Sequence, residues 1–306
     1  MKRRFYTLDV FTERKLAGNP LAVVLDCEGL DDASMQAIAR EFNLSETVFV
    51  SPPADPVNTA AVRIFTPGGE LPFAGHPTVG TGVLLAQLEA PEMVAASGGI
   101  VVALEEKIGV IKVEVSAQNG RVARGIFRVP RLSETVPWTP DLPLAAAGLG
   151  LDPLDIGFGA HALSCWTAGV PFVMCPVKGL EAIRRARVAD MDAWRRAFGF
   201  NGKGAVFVYT SETENPQHHV HARMFSPMMG IPEDPATGSA AAAFAGPAVI
   251  FERPEDGWHQ LVIEQGYEMG RPSEIVLDVD VTGFRLSDAR IGGGAVIVSQ
   301  GVLDIA

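Results

Sequence analysis

The feature that most limits what this chain can fold into is a stretch that it contains twice. Residues Arg63 to Thr81 read RIFTPGGELPFAGHPTVGT, and residues Arg223 to Ser239 read RMFSPMMGIPEDPATGS. The two stretches match at an offset of 160 residues before a two-residue slip and at 158 after it. A second match, AGNPLAVV from Ala17 and AGVPFVMC from Ala168, supports a duplication. A repeat with so long a period predicts two similar domains and not a solenoid.

Each copy of the repeat runs into a helix that is apolar on nearly every face. Proline and small polar residues precede the alanine run in the second copy, and these are signals of a helix start. The sequence predicts buried helices over Thr78–Leu88 and Thr237–Ala245. An apolar helix must be surrounded, and a curled sheet can surround it. We therefore expect an α+β fold with two pseudo-symmetric domains, each a curled β-sheet or barrel around a central apolar helix, and an active cleft between them.

The remainder of the chain supplies strands and two outer helices. Helical spacing of apolar residues predicts amphipathic helices over Asp31–Phe42 and Leu180–Phe198. The proline-rich segment from Pro130 to Pro143 is typical of a linker between domains. The glycine run from Gly292 to Gly294 predicts a tight bend before the final strand.

Composition excludes several classes of partner. The chain carries 25 basic and 36 acidic residues, a net charge of −11, and has no basic block, which argues against nucleic acid and anionic membranes. It shows no signal peptide and no apolar run of the ~18 residues that a membrane helix needs. Its three scattered cysteines fit a reducing cytoplasm, so we expect a cytoplasmic protein.

Four residues are candidates for chemistry. Glu46 opens an apolar strand, and it is either a solvated acid or a carboxylate that exchanges protons near neutral pH. His76 occupies, in the first copy, the position of Asp234 in the second, so the two residues face a shared site or are separate structural groups. Ser239 lies in the first turn of the second buried helix, where it is either a capping hydroxyl or a substrate-binding group.

Other chemistries find no support in the sequence. Ser239 lacks the surrounding Gly-x-Ser-x-Gly of a hydrolase. In a strand, only His219 and His221 of the histidines at 218, 219 and 221 share a face, with no further ligand at metal-binding spacing. There is no nucleotide-binding loop and no lysine in a pyridoxal-type context. We expect neither a metal nor a cofactor, so catalysis depends on acid–base groups.

Several blocks, in this order along the chain, resemble the PhzF-like phenazine-biosynthesis isomerases and epimerases. The resemblance implies the diaminopimelate epimerase-like fold, with a final strand returning to the first domain. It implies domains at residues 1–129, joined by a strand at about 295–306, and at 130–294. It also implies a homodimer. The matching blocks are Gly18-Asn-Pro20, Asn43-Leu-Ser-Glu-Thr-Val-Phe49, Phe65-Thr-Pro67, Gly75-His-Pro-Thr78, Pro232-Glu-Asp-Pro-Ala-Thr-Gly-Ser239 and Gln265-Gly-Tyr-Glu-Met-Gly-Arg271.

The resemblance also assigns roles by motif match. Glu46 becomes the proton-transferring acid/base, and His76, Asp234 and Ser239 position the substrate or assist proton transfer. Amides near Gly80 and at the start of the second buried helix hold a carboxylate. The further substrate-binding residues implied are Gly75, Thr237, Gly238, Gln265 and Gly266.

The function expected is thus a cofactor-independent isomerase that moves a proton on a small carboxylate-bearing or amino-acid-like substrate. The racemase relatives place a cysteine in each loop before a buried helix, and here neither loop has one. Two alternatives stay open. One is an amino-acid racemase or epimerase with unlike bases, and the other is a non-catalytic binding protein for a small acid.

Overall fold

The computed structural model describes residues 2–96, 98–117 and 122–305. The chain folds into two compact units, one of Met1–Arg128 with Gly292–Ala306 and one of Val129–Ile291. The elements of the first unit are β1 Lys2–Val10, β2 Asn19–Val24, α1 Asp32–Phe42, β3 Glu46–Ser51, β4 Ala60–Thr66, β5 Gly69–Leu71, α2 Gly75–Glu89, α3 Pro91–Ala95, β6 Ile100–Glu106, β7 Gly109–Ser116 and β8 Arg124–Arg128.

The second unit contains a similar series. Its elements are β9 Glu134–Thr135, α4 Leu142–Leu149, β10 Ser164–Thr167, β11 Pro171–Pro176, α5 Gly179–Arg185, α6 Met191–Phe198, β12 Val206–Thr210, β13 Val220–Ser226, β14 Ile231–Asp234, α7 Gly238–Glu252, β15 Gly257–Gln265 and β16 Ser273–Thr282. The last strand, β17, covers Arg285–Asp304, so its first residues belong to this unit and the others to the first.

The first unit is a closed barrel built around α2. Its strands follow the order β17, β1, β2, β3, β4, β6, β7 and β8, and β8 pairs with β17 again. The helix contacts β1, β2, β3, β6, β7 and β8, and its residues from Gly75 to Ala86 are buried. Burial of a helix on every face explains why its sequence shows no amphipathic stripe.

The second unit repeats the strand order of the first with the same directions. β10–β11, β12–β13 and β15–β16 are antiparallel, while β11–β12 and β13–β15 are parallel. The corresponding pairs in the first unit are β1–β2, β3–β4, β6–β7, β2–β3 and β4–β6. The apolar α7 packs on β9, β10, β11 and β16. The predicted fold class is confirmed: each unit has strands around one buried apolar helix.

The repeat extends to side-chain contacts. In the first unit, Arg63 donates two hydrogen bonds to the Glu70 carboxylate and lies 5.1 Å from the ring centre of Phe65. In the second, Arg223 donates two hydrogen bonds to Glu233 and lies 4.8 Å from the ring centre of Phe225. A bidentate guanidinium–carboxylate pair fixes the geometry of both groups. Each pair therefore holds the hairpin that precedes the buried helix.

The helix predicted over Leu180–Phe198 is wrong as a single element. The structure has two helices there, α5 and α6, separated by a short extended segment. The Asp190 carboxylate accepts hydrogen bonds from the amides of residues 192 and 193, and this N-cap starts α6. The end of α5 is fixed by Arg223, which donates to the carbonyls of Ile183 and Ala186. Side chains outside the helix thus stop a periodic pattern that continues in the sequence.

The segment from Pro130 to Pro143, predicted as a linker, is partly structured. It contains β9, whose Thr135 pairs with Trp166 of β10, and the start of α4. The Asp141 side chain accepts the Leu144 amide as the N-cap of that helix. Pro143 therefore lies in the first turn of α4, a position that proline tolerates.

The predicted bend at Gly292–Gly294 is also wrong, because these residues continue β17 without interruption. A Cβ atom at residue 292 would lie 2.6 Å from the Gly125 oxygen and 2.8 Å from the Ile126 Cβ. A Cβ at residue 294 would lie 2.6 Å from the Thr12 oxygen. Glycine is thus required here by close backbone approach and not by a turn.

Gly292→Ala is expected to lower the free energy of unfolding by about 1–3 kcal/mol, because the added methyl group meets backbone that cannot move aside. Urea unfolding followed by circular dichroism measures the change. Gly69→Ala is the matched control, since a Cβ at that strand position has open space around it. Equal destabilisation by the two substitutions would contradict the packing explanation.

Candidate active site

The first unit brings Glu46 and His76 together. Glu46 is the first residue of β3. The preceding helix, α1, is followed by its C-cap Asn43, which adopts the left-handed conformation with φ 50°. Asparagine tolerates this conformation better than most residues, so the turn directs the chain sharply into the strand. His76 is the second residue of α2 and is 5% exposed. Its Nε2 atom lies 3.3 Å from Oε2 of Glu46.

The contact between these side chains is not an ion pair. Burial lowers the pKa of His76 to about 3, so its imidazole is neutral at neutral pH. A neutral imidazole can donate one hydrogen bond and accept another. The pair therefore combines a carboxylate, which can take a proton, with a ring that can hold a polar substrate group or pass a proton on.

The start of α2 corrects the position expected for Gly80. The helix begins at Gly75, so Gly80 is its sixth residue and lies beyond the first turn, where unpaired amides occur. Gly80 packs closely against β2, since a Cβ there would lie 2.6 Å from a Leu21 methyl carbon. The first-turn amides are those of Gly75 and His76, since Pro77 has no N–H and the next amide bonds to the Ala74 oxygen.

The second unit brings Asp234, Thr237 and Gln265 together. Asp234 ends β14, is 8% exposed, and accepts a hydrogen bond of 2.5 Å from the Thr237 hydroxyl. The Gln265 amide group donates to the Asp234 backbone oxygen and to the Thr237 hydroxyl oxygen, and its carbonyl accepts the Thr237 amide. This network fixes the loop before α7 with the Asp234 carboxylate at the mouth of the helix.

The remaining predicted residues of this unit surround the same loop. Gly238 and Ser239 are the first two residues of α7, and Thr237 is its N-cap. Thr237 accepts the amides of residues 240 and 241, which leaves those of Gly238 and Ser239 as the first-turn donors. Gly266 has φ 79°, and a Cβ there would lie 2.6 Å from the Pro235 oxygen. Ser239 is partly exposed.

A family model described as phenazine biosynthesis-like protein, PhzC-PhzF, matches residues 8–301. The chain belongs to the PhzF family. An uncharacterized isomerase of Mesorhizobium japonicum is 50% identical over 100% of both chains. The trans-2,3-dihydro-3-hydroxyanthranilate isomerase of Pseudomonas aeruginosa is 32% identical over 97% of this chain and 98% of its own. The predicted enzyme class, a PhzF-like isomerase, is confirmed.

Solved structures agree with the fold of this PhzF-family chain. A PhzF-family protein of Bacillus anthracis superimposes with a TM-score of 0.87 at 25% identity, over 100% of both chains. A hydroxyproline epimerase of Agrobacterium vitis has a TM-score of 0.61 at 12% identity, over 99% of this chain and 92% of its own, and shows the fold alone. The epimerase-like fold expected from the sequence is therefore confirmed.

The histidines at 218 and 221 of this PhzF-family chain form hydrogen bonds with a buried carboxylate. Glu264 is fully buried and accepts hydrogen bonds from Nδ1 of His218, Nδ1 of His221 and the amides of Glu214 and Asn215. His219 instead accepts the amide of residue 262. Among the residues that the structure describes, no group of three or more His, Cys, Asp or Glu side chains is arranged to hold a metal ion.

Glu264 has a counterpart in the first unit that the sequence analysis missed. Glu105 accepts the amides of Ala54 and Asp55 and the side-chain amide of Asn58. These three donors lie 160 residues before Glu214, Asn215 and His218, so both copies anchor the same loop with one acid. The 160-residue spacing of the donors could have identified the two loops as equivalent. The two acids were missed because they lie 159 residues apart and outside the matching blocks.

Within the described parts of the chain, no helix is long and apolar enough to cross a membrane.

Proposed function

We propose that this PhzF-family isomerase moves a proton between carbon atoms of a small carboxylate-bearing substrate by acid–base catalysis without a cofactor. The observation that carries the proposal is the contact between Glu46 and His76, an acid beside a neutral, buried imidazole. A catalytic base must lie within hydrogen-bonding reach of the proton that it removes. Glu46 removes the proton and returns it elsewhere on the substrate, and His76 holds the substrate group on which charge develops.

The substrate carboxylate is held by first-turn amides in this proposal. A helix start offers unpaired N–H groups and a partial positive charge, which together favour an anion. Gly75 and His76 supply such amides at α2, and Gly238 and Ser239 supply them at α7. We propose that the two units are the domains of the duplication and that each helix start can hold a carboxylate or another anionic substrate group.

Asp234 orients the polar group of the substrate. Its carboxylate is fixed by the Thr237 hydroxyl, and its backbone oxygen by Gln265, so it can accept a hydrogen bond from an amine or hydroxyl group without reorganising. The isomerase of Pseudomonas aeruginosa acts on a dihydro-hydroxyanthranilate. Its name motivates cyclic dihydroaromatic acids as the first substrates to test, with amino acids as the second.

A racemase that uses two thiols finds no support in the cysteines. Cys27, Cys165 and Cys175 are buried, and none lies in the loops before α2 or α7. Burial raises the pKa of Cys27 to about 11 and those of Cys165 and Cys175 to about 12. Thiols of this kind are poor bases near neutral pH. The predicted homodimer, cytoplasmic location and role in phenazine biosynthesis stay predictions.

Proton NMR in D2O tests the proposal with a panel of cyclic dihydroaromatic acids, amino acids and hydroxy acids. Movement of a double bond, or deuterium entering a ring carbon, is the expected result. Deuterium entering only an α-carbon, with loss of optical purity, would favour a racemase with unlike bases. Line broadening without exchange would favour a binding protein. Exchange restricted to the α-carbon and binding without exchange would each contradict the proposed isomerisation.

Asp234→Asn is expected to lower kcat/KM by roughly 10–100-fold, the effect of losing one charged hydrogen bond. The asparagine oxygen can still accept the Thr237 hydroxyl, so thermal unfolding should change little. Asp256→Asn removes the same charge from an exposed turn and is the control. If Asp234→Asn instead lowers the melting temperature strongly with activity retained in the folded fraction, Asp234 is a structural residue.

A further inference from the structure

Glu106 holds, in the first unit, the place that Gln265 holds in the second. Glu105 pairs with Ala61 across the parallel strands β6 and β4, and Glu264 pairs with His221 across β15 and β13. The next residues along β6 and β15 are therefore equivalent. Gln265 uses both ends of its side-chain amide to fix the loop before α7. The equivalent position before α2 carries an acid, which the proposed mechanism does not use.

The contacts of Thr78 show which form of Glu106 fits. The Thr78 hydroxyl oxygen lies 2.8 Å from the Ala74 carbonyl oxygen and 2.7 Å from Oε1 of Glu106. A hydroxyl has one proton, and a backbone carbonyl can only accept. If Thr78 donates to Ala74, the proton in the second contact must come from Glu106. Only the neutral acid satisfies both contacts, because a carboxylate would leave one of them without a hydrogen.

The surroundings of Glu106 favour the same form. Glu106 is 8% exposed, and its Oε2 atom is inaccessible and has no hydrogen-bond partner among the described residues. The adjacent acid, Glu105, is turned to the loop amides described above, and Lys107 is bonded to Glu70. On α2, the titratable residue beside Thr78 is the neutral His76, two positions before it. Burial raises the pKa of Glu106 to about 8, and this effect outweighs the opposing one of the Thr78 hydroxyl.

We propose that Glu106 is a positioning residue of the isomerase, a neutral acid that donates to Thr78 and holds the first turn of α2 in place for an anionic substrate. The inference rests on the proposed function, because that turn carries His76 and the amides assigned to the substrate carboxylate. When Glu106 ionises, the Thr78 hydroxyl turns from Ala74 to the new carboxylate, and a negative charge appears beside the carboxylate subsite. Substrate binding weakens as a result.

The consequence is an alkaline limit on substrate binding. Above the pKa, the neutral form falls tenfold for each pH unit, so KM should rise roughly tenfold by pH 9 while kcat changes less. Glu106→Gln keeps a donor to Thr78 and cannot ionise. Its KM should stay close to the wild-type value at pH 7 and remain flat to pH 9. Glu114→Gln, an exposed change on the adjacent β7, should keep the alkaline rise of the wild type.

Two measurements test the inference without turnover. In protein labelled with 13C at the glutamate carboxyl carbons, the signal lost in Glu106→Gln should report a protonated acid at pH 6.5. As the pH rises from about 5 to 8, the melting temperature of the wild type should also fall relative to that of Glu106→Gln. This follows because the unfolded chain releases the proton near pH 4.5 while the folded chain keeps it to about pH 8.

The outcomes separate the inference from the proposed function. A carboxylate signal at pH 6.5 would overturn the inference whatever the activity. A protonated Glu106 with the same rise in KM in wild type and Glu106→Gln would overturn the positioning role. Absence of any proton exchange in the wild type would overturn the proposed function, and the positioning role with it, while the 13C signal would still decide whether Glu106 is the neutral acid.

Discussion

Glu46→Gln is expected to lower turnover by about 10²–10⁴-fold, the usual contribution of one general acid–base group. Glutamine has nearly the same shape, so it can keep its place beside His76, but it cannot take a proton. Substrate binding should persist, because the carboxylate is held by backbone amides in the proposed site. Proton exchange in D2O measures turnover, and isothermal titration calorimetry with the same compound measures binding.

The control for Glu46→Gln is Glu41→Gln, which makes the same change at an exposed position of α1. It should leave turnover at the wild-type level. Undiminished turnover in Glu46→Gln would remove this residue from the mechanism. A parallel loss of binding, turnover and melting temperature would instead mean that the side chain supports the fold.

Glu264→Gln is expected to lower the free energy of unfolding by about 3–5 kcal/mol, because it removes one of the two carboxylates that pair with the buried His221. Burial lowers the pKa of His221, but its hydrogen bonds to Glu264 and Glu268 raise it more, to about 9, so this histidine is charged at pH 7. The side-chain amide of the new glutamine would also point its NH2 group at backbone amides and histidine nitrogens that donate hydrogen bonds to Glu264 in the wild type. Urea unfolding measures the loss. Glu274→Gln, half exposed and 3.8 Å from His218, should cost less than about 1 kcal/mol.

The same cluster should give stability a defined pH dependence. A histidine with a raised pKa stabilises the fold fully below its unfolded pKa of ~6.5 and loses this contribution as the pH rises through the folded value. The His221 contribution should therefore fade between about pH 6.5 and 9 in the wild type. Glu264→Gln should flatten this decline. An unchanged slope would mean that Glu268 alone holds the proton on His221.

The fold could be predicted because the same sequence pattern occurs twice. In each copy, a strand that contains an arginine is followed by a turn that contains a proline and then by a helix that is apolar on all faces. This pattern was enough to predict strands around a buried helix in each unit. The break between α5 and α6 could not be read from periodicity, because Arg223, far away in the chain, caps the end of α5. Tertiary contacts of this kind override local pattern.

The residues of the candidate site could be predicted where they lie inside a matching motif. They could not be predicted where the two copies of the repeat differ in local structure. The motifs contain Glu46, His76 and Asp234. The alignment placed Gly80 against Gly238, yet α2 begins at Gly75, five residues before Gly80. In the second unit, the Gln265 carbonyl takes the Thr237 amide and delays the helix. Glu106, which takes the place of Gln265 and lies outside the matching blocks, accepts no such amide among the described residues, and we relate the earlier start of α2 to this difference.

The course of β17 has a consequence for the order in which the protein can form during synthesis. Residues 129–291 leave the ribosome as a continuous segment, so the unit that they build can fold as soon as it emerges. The barrel of the first unit is closed by residues 292–304, which are synthesised after that segment. The first unit therefore cannot close its barrel around α2 until a strand some 160 residues beyond β8 has been made.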